Sequence, residues 1–449
     1  MSAKSEIFRP AAWPAAAQLV ARWLERRERI DALFDTLPGK LAGAERARCQ
    51  HLVFGVVRHA SRLEAELAKL IAHPPRYATR AVLYVAGFEL IEAEGEHADQ
   101  GLVAKIVHHA VDQAKTLASP AEARLVNAVV RKLATALHAQ LAPNRLAAAD
   151  VLATYFSHPA WLVTRWLKNY GAEHTRALLK WNQTPAPVYA RWRDRSAVAP
   201  EWLKATAWAG FFEVPSGKWS EVEPLLKKGK LYLQDPGTRL AVELLAPQPG
   251  ETVLDVCAAP GGKSLQIADA MVATAQGGVA PPTSAGAKGR VVAMDLPGER
   301  IARLKENLAR VEGVDVALVQ ADVAKNGYLE LDTHRLPTSF DAVLLDVPCT
   351  NSGVMRHRVD VKWRLQEGDF HKHGRQQLEL LHAAAKLVAP GGRIVYSTCS
   401  IDPEENESVI RAFFDSRAGG PFTLEAKSLS QPWVTGHDGA GAFLLRKKL

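Results

Sequence analysis

Hydrophobic positions recur at helical spacing through the first 140 residues. In 45–70 (ERARCQHLVFGVVRHASRLEAELAKL) Leu52, Val53, Val56, Val57, Leu63 and Leu67 fall on one stripe, and Leu125, Val129 and Leu133 repeat it in 121–139. No alternating, strand-like run interrupts them, so residues 1–145 are expected to form an all-helical domain with Cys49 in its core. The pattern changes over 146–230, where short alternating pieces such as Val188-Tyr189-Ala190-Arg191-Trp192-Arg193 predict strands in a small α/β module. From 231 to 449 short apolar runs alternate with helical stretches. Strands are predicted at 252–257, 290–295, 315–320, 341–346 and 392–397, with helices near 262–274, 298–311, 370–388 and 404–415. That alternation predicts a parallel, doubly wound α/β sheet of Rossmann-like type. The small-residue stretch 275–289 (AQGGVAPPTSAGAKG) is expected to be a surface loop.

Composition narrows the class. In 449 residues, 47% hydrophobic and 23% charged, disorder, collagen and coiled coil are excluded. No apolar run is long enough to span a membrane. A signal peptide is not expected, because Pro14 interrupts the Ala-rich stretch behind Lys4 and Arg9. Four cysteines in so long a chain make no disulfide framework, and a cytoplasmic monomer is expected. The net charge of +8 is unevenly placed. Residues 1–230 hold 32 Lys+Arg against 22 Asp+Glu, whereas the remainder holds 24 against 26. A basic front half suggests a polyanionic partner such as RNA. Seven of the eleven tryptophans lie in 161–219 among basic residues. They are either core anchors or a stacking surface for single-stranded nucleic acid.

Three predicted strands end in, or are soon followed by, a carboxylate: Asp295, Asp322 and Asp346. In an open α/β sheet a ligand lies across these carboxyl ends. Asp295 is placed to accept from ribose hydroxyls and Asp322 from an adenine amino group. The first strand runs into Cys257-Ala258-Ala259-Pro260-Gly261-Gly262-Lys263, whose small residues let a ligand approach the backbone. This describes a nucleoside-containing cofactor. The G-x-G-x-x-G spacing of a dinucleotide site is missing.

Two cysteines follow the fourth and fifth strands, Cys349 in Asp346-Val347-Pro348-Cys349 and Cys399 in Ser397-Thr398-Cys399-Ser400. If those strands are neighbours, both thiols face one cleft. Methylation of cytosine at C5 needs this equipment. A thiolate adds at C6 and activates C5 toward S-adenosylmethionine, an acid acts near N3, and a second group assists elimination. The target base must be unstacked to enter such a site. His371, His373, His108 and His109 lack partners at ligand spacing, so no metal site is expected. Arg356, His357 and Arg358 are candidates for contact with RNA phosphate.

At these residues a resemblance enters. LQDPGTRLAVELLAPQPGETVLDVCAAPGGKS (233–264), DVPCTNSG (346–353) and YSTCSIDPEENE (396–407) resemble the signatures of the Sun family of RNA cytosine-5 methyltransferases. ERARCQHLVFGVVRHASRLEAELAKL (45–70) and RLVNAVVRKL (124–133) are similar to the NusB-like RNA-binding domain of one branch, and HDGAGAFLLRK (437–447) to the family's last strand. The resemblance implies Cys399 as nucleophile and Cys349 as elimination helper, with Asp346 contacting both base and cofactor. It implies that Cys257 to Lys263 hold the methionine end of S-adenosylmethionine, Asp295 the ribose and Asp322 the adenine, with 16S rRNA as substrate. The family more often reads D-A-P-C-S-x-x-G where this chain has Val347 for Ala and Thr350 for Ser, with Asn351 and Ser352 at the variable positions, and Pro297-Gly298 after Asp295 is unusual. A tRNA cytosine-5 methyltransferase and a non-catalytic RNA-binding assembly or antitermination factor are the alternative readings.

Overall fold

The computed structural model describes residues 12–37, 39, 41, 43–93, 100–276 and 288–449. The stretch expected as a loop at 275–289 lies largely outside the described residues, as do Lys4 and Arg9. The chain forms two compact units, one of residues up to 185 together with 355–365, the other of 186–354 and 366–449.

The first unit is helical, from Ala12–Arg26 through Ala160–Gln183. The stripe read from the sequence is its core: Leu52, Val53, Val56, Val57, Leu63 and Leu133 are fully buried, and so is Cys49. Burial pushes the Cys49 thiol up to about 11, as befits a packing residue. Helix Pro120–His138 shows why these segments start where they do. Ser119 Oγ accepts from Glu122 N, and Pro120 fills the first helical position, where no N–H is needed.

Residues 355–365 complete this unit, which sequence periodicity did not foresee. Val359 joins the helical core and Trp363 packs on it. Trp363 Nε1 donates to the Val57 carbonyl at 2.8 Å and Lys362 Nζ to the Arg58 carbonyl at 3.0 Å. Arg356, a candidate for phosphate contact, is only 7% exposed. Its guanidinium lies 4.0 Å over the Trp181 ring and donates to the carbonyls of Thr184 and Pro185. The expectation fails for Arg356 because its guanidinium is buried against the Trp181 ring and these carbonyls claim its donors.

In the second unit, β1 (Val188–Trp192), β2 (Lys204–Ala205), β3 (Phe211–Val214) and β4 (Leu231–Leu233) form an antiparallel sheet in the order β2-β3-β1-β4. Arg191 and Arg193, from the basic and aromatic run, both grip Asp269, at 2.6 and 2.8 Å. They brace this small sheet against helix Gly262–Gln276.

A seven-stranded sheet follows, made of β5 (Thr252–Val256), β6 (Arg290–Asp295), β7 (Asp315–Gln320), β8 (Phe340–Asp346), β9 (Val388–Thr398), β10 (Phe422–Ser430) and β11 (Ala440–Lys447). Its order is β10-β11-β9-β8-β5-β6-β7, parallel from β9 to β7 and antiparallel at β10 and β11. The inner parallel strands are buried on both faces, which is why they read as continuous apolar runs, whereas β7 at the edge is half-exposed. Chain direction across the sheet reverses between β5 and β8. That is the switch point where a doubly wound sheet opens a crevice at its carboxyl edge.

Candidate active site

The turn after β5 is built by backbone geometry. Cys257 has φ of +61° and Gly261 φ of +104°. That φ favours glycine at 261, and a Cβ there would also press on Leu304 Cδ1 at 2.9 Å. Asp295, at the end of β6, ties the turn down: Oδ2 accepts from Ala259 N at 2.8 Å and Oδ1 from Leu296 N at 2.7 Å. Asp322, just past β7, accepts from Ala324 N at 3.0 Å and has Lys325 Nζ at 3.4 Å. Burial pushes the Cys257 thiol far up, with the Asp295 and Asp346 charges adding to it. Cys257 therefore suits the turn as a packing residue and not as a nucleophile.

Beneath the turn, Asp255 is completely buried and Ser264 Oγ donates to its Oδ2 at 2.5 Å. Its other oxygen has no hydrogen-bond partner among the described residues. Burial pushes this carboxyl up to about 7, against the opposing pull of the Ser264 bond.

At the reactive end, β8 and β9 run parallel with Asp346 opposite Ser397. Ser397 Oγ donates to Asp346 Oδ1 at 2.7 Å, and Lys263 Nζ meets Asp346 Oδ2 at 2.7 Å. Burial works against the Lys263 ammonium, but Asp346 outweighs it and holds the Lys263 pKa above its ordinary value. Two residues from two other elements thus converge on the Asp346 carboxylate.

The loops beyond these strands bring Cys349 Sγ to 3.0 Å from Cys399 Sγ. Asn351, with φ of +62°, bridges them. Its Nδ2 donates to the Cys349 carbonyl at 2.9 Å, which leaves Oδ1 facing Cys399 Sγ at 3.2 Å. A carbonyl only accepts, so this assigns the amide, and Cys399 is the donor to Oδ1. Each thiol has one proton, so Cys349 donates to the Cys399 sulphur. That hydrogen bond first, then burial and the Cys399 and Glu405 charges, hold the Cys349 thiol well above the ordinary range. Gly353 N donates to the Cys399 carbonyl at 3.0 Å, and a Cβ there would lie 2.8 Å from that oxygen.

Beside the pair lies a cleft lined by Asp235, Lys263, Asp346, Thr398, Cys399 and Gly439. The structure thus gathers Lys263, Asp346, Cys349 and Cys399 at one end of the sheet, with the 257–263 turn, Asp295 and Asp322 along the same carboxyl edge. Sequence reasoning assigned no role to Asn351, Gln377, Ser397, Glu405 or Asn406. Two of their signals were visible, an Asn where the family pattern varies and a Glu-Asn pair soon after Cys399.

The family description "16S rRNA methyltransferase RsmB/F" matches residues 242–431, the NusB family 11–135, and the RsmF/B-like ferredoxin-like domain 158–216. Ribosomal RNA small subunit methyltransferase B of Cronobacter sakazakii is 30% identical over 445 residues, covering 94% of this chain and 96% of that protein. Among solved structures, PH0851 gives a TM-score of 0.72 at 22% identity and covers 99% of this chain and 100% of its own. A methyltransferase homolog protein from Pyrococcus horikoshii gives 0.52 at 24%, covering 68% and 100%. These two likenesses speak for the fold. With identity sustained across nearly the whole of both sequences and three family matches in chain order, this chain belongs to the 16S rRNA methyltransferase RsmB/F family.

Proposed function

We propose that this protein transfers a methyl group from S-adenosylmethionine to C5 of a cytosine in 16S rRNA, through a covalent bond between Cys399 and C6 of the base. The observation that carries the reading is the pair of thiols 3.0 Å apart beside the Lys263–Asp346 ion pair. A reaction in which one sulphur attacks and a second group helps it leave needs two such groups in reach of one base.

The residues along the carboxyl edge suit the cofactor. The 257–263 turn, held open by Gly261, leaves room for the methionine end, and Asp295 and Asp322 offer acceptors for ribose hydroxyls and adenine. When bound there, S-adenosylmethionine supplies the electrophilic methyl group. The Cys399 sulphur adds to C6 as its proton passes to Asp346, and the addition pushes electron density to C5. Asp346, braced by Lys263 and Ser397, faces the N3 side of the base and handles the proton that moves there. After methylation Asp346 takes back the N3 proton and releases it to solvent, the S–C6 bond breaks, Cys399 departs with the bonding pair, and the proton leaving C5 passes to the Cys349 sulphur as that group gives up its own. Cys349, protonated and hydrogen-bonded to that sulphur, returns a proton to it.

Bisulfite sequencing of rRNA and tRNA from a strain lacking the gene tests the substrate. One 16S cytosine is expected to lose its protection. Loss confined to tRNA would contradict the rRNA assignment, and no loss in either would contradict the chemistry.

A further inference from the structure

Two adjacent residues, Glu405 and Asn406, hold the flanks of the two cysteines separately. Both are buried, at 0% and 2% exposure. Glu405 Oε1 accepts from Thr350 N at 2.9 Å and from Gln377 Nε2 at 3.0 Å, and Oε2 accepts from Thr350 Oγ1. The same Gln377 Nε2 donates to the Pro348 carbonyl at 3.0 Å. Pro348 and Thr350, the neighbours on either side of Cys349, are therefore fastened to one carboxylate and its amide partner. Tyr396 OH fixes that carboxylate's own backbone, donating to the Glu405 carbonyl at 2.6 Å.

Asn406 does the equivalent for Cys399. Its Oδ1 accepts from Thr398 Oγ1 at 2.9 Å, and its Nδ2 donates to the Ser400 carbonyl at 3.0 Å and the Asp402 carbonyl at 3.0 Å. Thr398 and Ser400 are the two neighbours of Cys399. A Cβ on Gly441 would lie 2.1 Å from Asn406 Oδ1, so the facing strand leaves just enough room for this amide.

We propose that Glu405 and Asn406 are positioning residues that set the two sulphurs in register, Glu405 acting through Cys349 on release of the adduct and Asn406 acting through Cys399 on its formation. The inference rests on the covalent reading given above. Neighbouring side chains in one turn would thus control opposite halves of the reaction. A merely structural role would slow both halves together.

The test uses the full chain with a 16S rRNA transcript and S-adenosylmethionine, reading protein–RNA adducts that survive denaturing electrophoresis. Cys349→Ala is expected to accumulate adduct. Glu405→Ala is expected to accumulate it too, with release slowed about tenfold and formation little changed. Glu405→Gln keeps an acceptor toward Thr350 N and Gln377, and should release within about twofold of the parent. Asn406→Ala, placed in the Cys349→Ala background, should form the adduct about tenfold more slowly. If Cys349→Ala traps nothing, the covalent reading itself fails, and this inference with it. If it traps but Glu405→Ala and Asn406→Ala slow the same step, or neither, the positioning assignment alone is overturned. Should Glu405→Ala lose its fold, seen as loss of S-adenosylmethionine binding by calorimetry, Thr350→Val approaches the same hydrogen bond from its other end. Release slowed about threefold then supports the assignment, and unchanged release overturns it.

Discussion

The sulphurs of Cys349 and Cys399 lie 3.0 Å apart although 50 residues separate them in the chain. Parallel pairing of β8 with β9 brings the two strand ends level, with Asp346 opposite Ser397. The loops then converge because Gly353 N bonds the Cys399 carbonyl and Asn351 spans both cysteines. The pairing of the two thiols is thus a consequence of strand register followed by three short hydrogen-bonded connections.

Asn351 offers a direct probe of that bridge. Asn351→Gly keeps the left-handed backbone and removes the amide, so it should slow single-turnover methylation about fivefold, the worth of one ordinary hydrogen bond. Asn351→Val loses the same bond and adds a β-branched side chain at a φ of +62°. It should also lower the thermal midpoint, by about 1–2 kcal/mol of backbone strain. Equal Tm values for the two variants would contradict this account of the turn.

Asp255 makes stability depend on pH in a stated direction. Folding lifts its carboxyl from 3.8 to about 7. Between those values the folded chain keeps a proton that the unfolded chain has lost, so stability falls as pH rises through this window. The whole cost, up to about 4 kcal/mol, stands above pH 7. Asp255→Asn still accepts from Ser264, and should raise Tm over the parent clearly at pH 8 and little at pH 4. A gain independent of pH would contradict the assignment.

Lys362 should show the opposite trend. Burial, with the Arg58 charge beside it, holds this amine well below its ordinary 10.5. The unfolded chain therefore binds a proton that the folded chain lacks, and stability falls as pH drops below 10.5. Lys362→Met is expected to gain more over the parent at pH 6.5 than at pH 10 in calorimetric melts. A larger gain at pH 10 would mean that the folded chain carries the ammonium form there.

What the sequence disclosed follows physical lines. The inner parallel strands were readable because burial on both faces leaves runs such as Val253-Leu254 and Val343-Leu344-Leu345 unbroken by polar residues. β10 was not, since its middle residues are mostly exposed and include Glu425 and Lys427. The thiols and strand-end carboxylates announced themselves because few other residue types do their chemistry. Glu405 and Asn406 did not, because their partners at 348–350 and 398–400 arrive through tertiary folding. The same holds for 355–365. Its Trp363 and Lys362 have meaning only against the carbonyls of Val57 and Arg58, some 300 residues away.

The central claim is that Cys399 is the attacking sulphur. The most direct measurement is peptide mass mapping of the wild-type chain after reaction with S-adenosylmethionine and 16S rRNA containing 5-fluorocytidine, whose C5 fluorine blocks elimination and preserves the adduct. The account predicts a nucleotide-modified peptide carrying Cys399, with the Cys349 peptide unmodified. A modified Cys349 peptide, or no modified cysteine at all in a protein that methylates ordinary 16S rRNA, would contradict it.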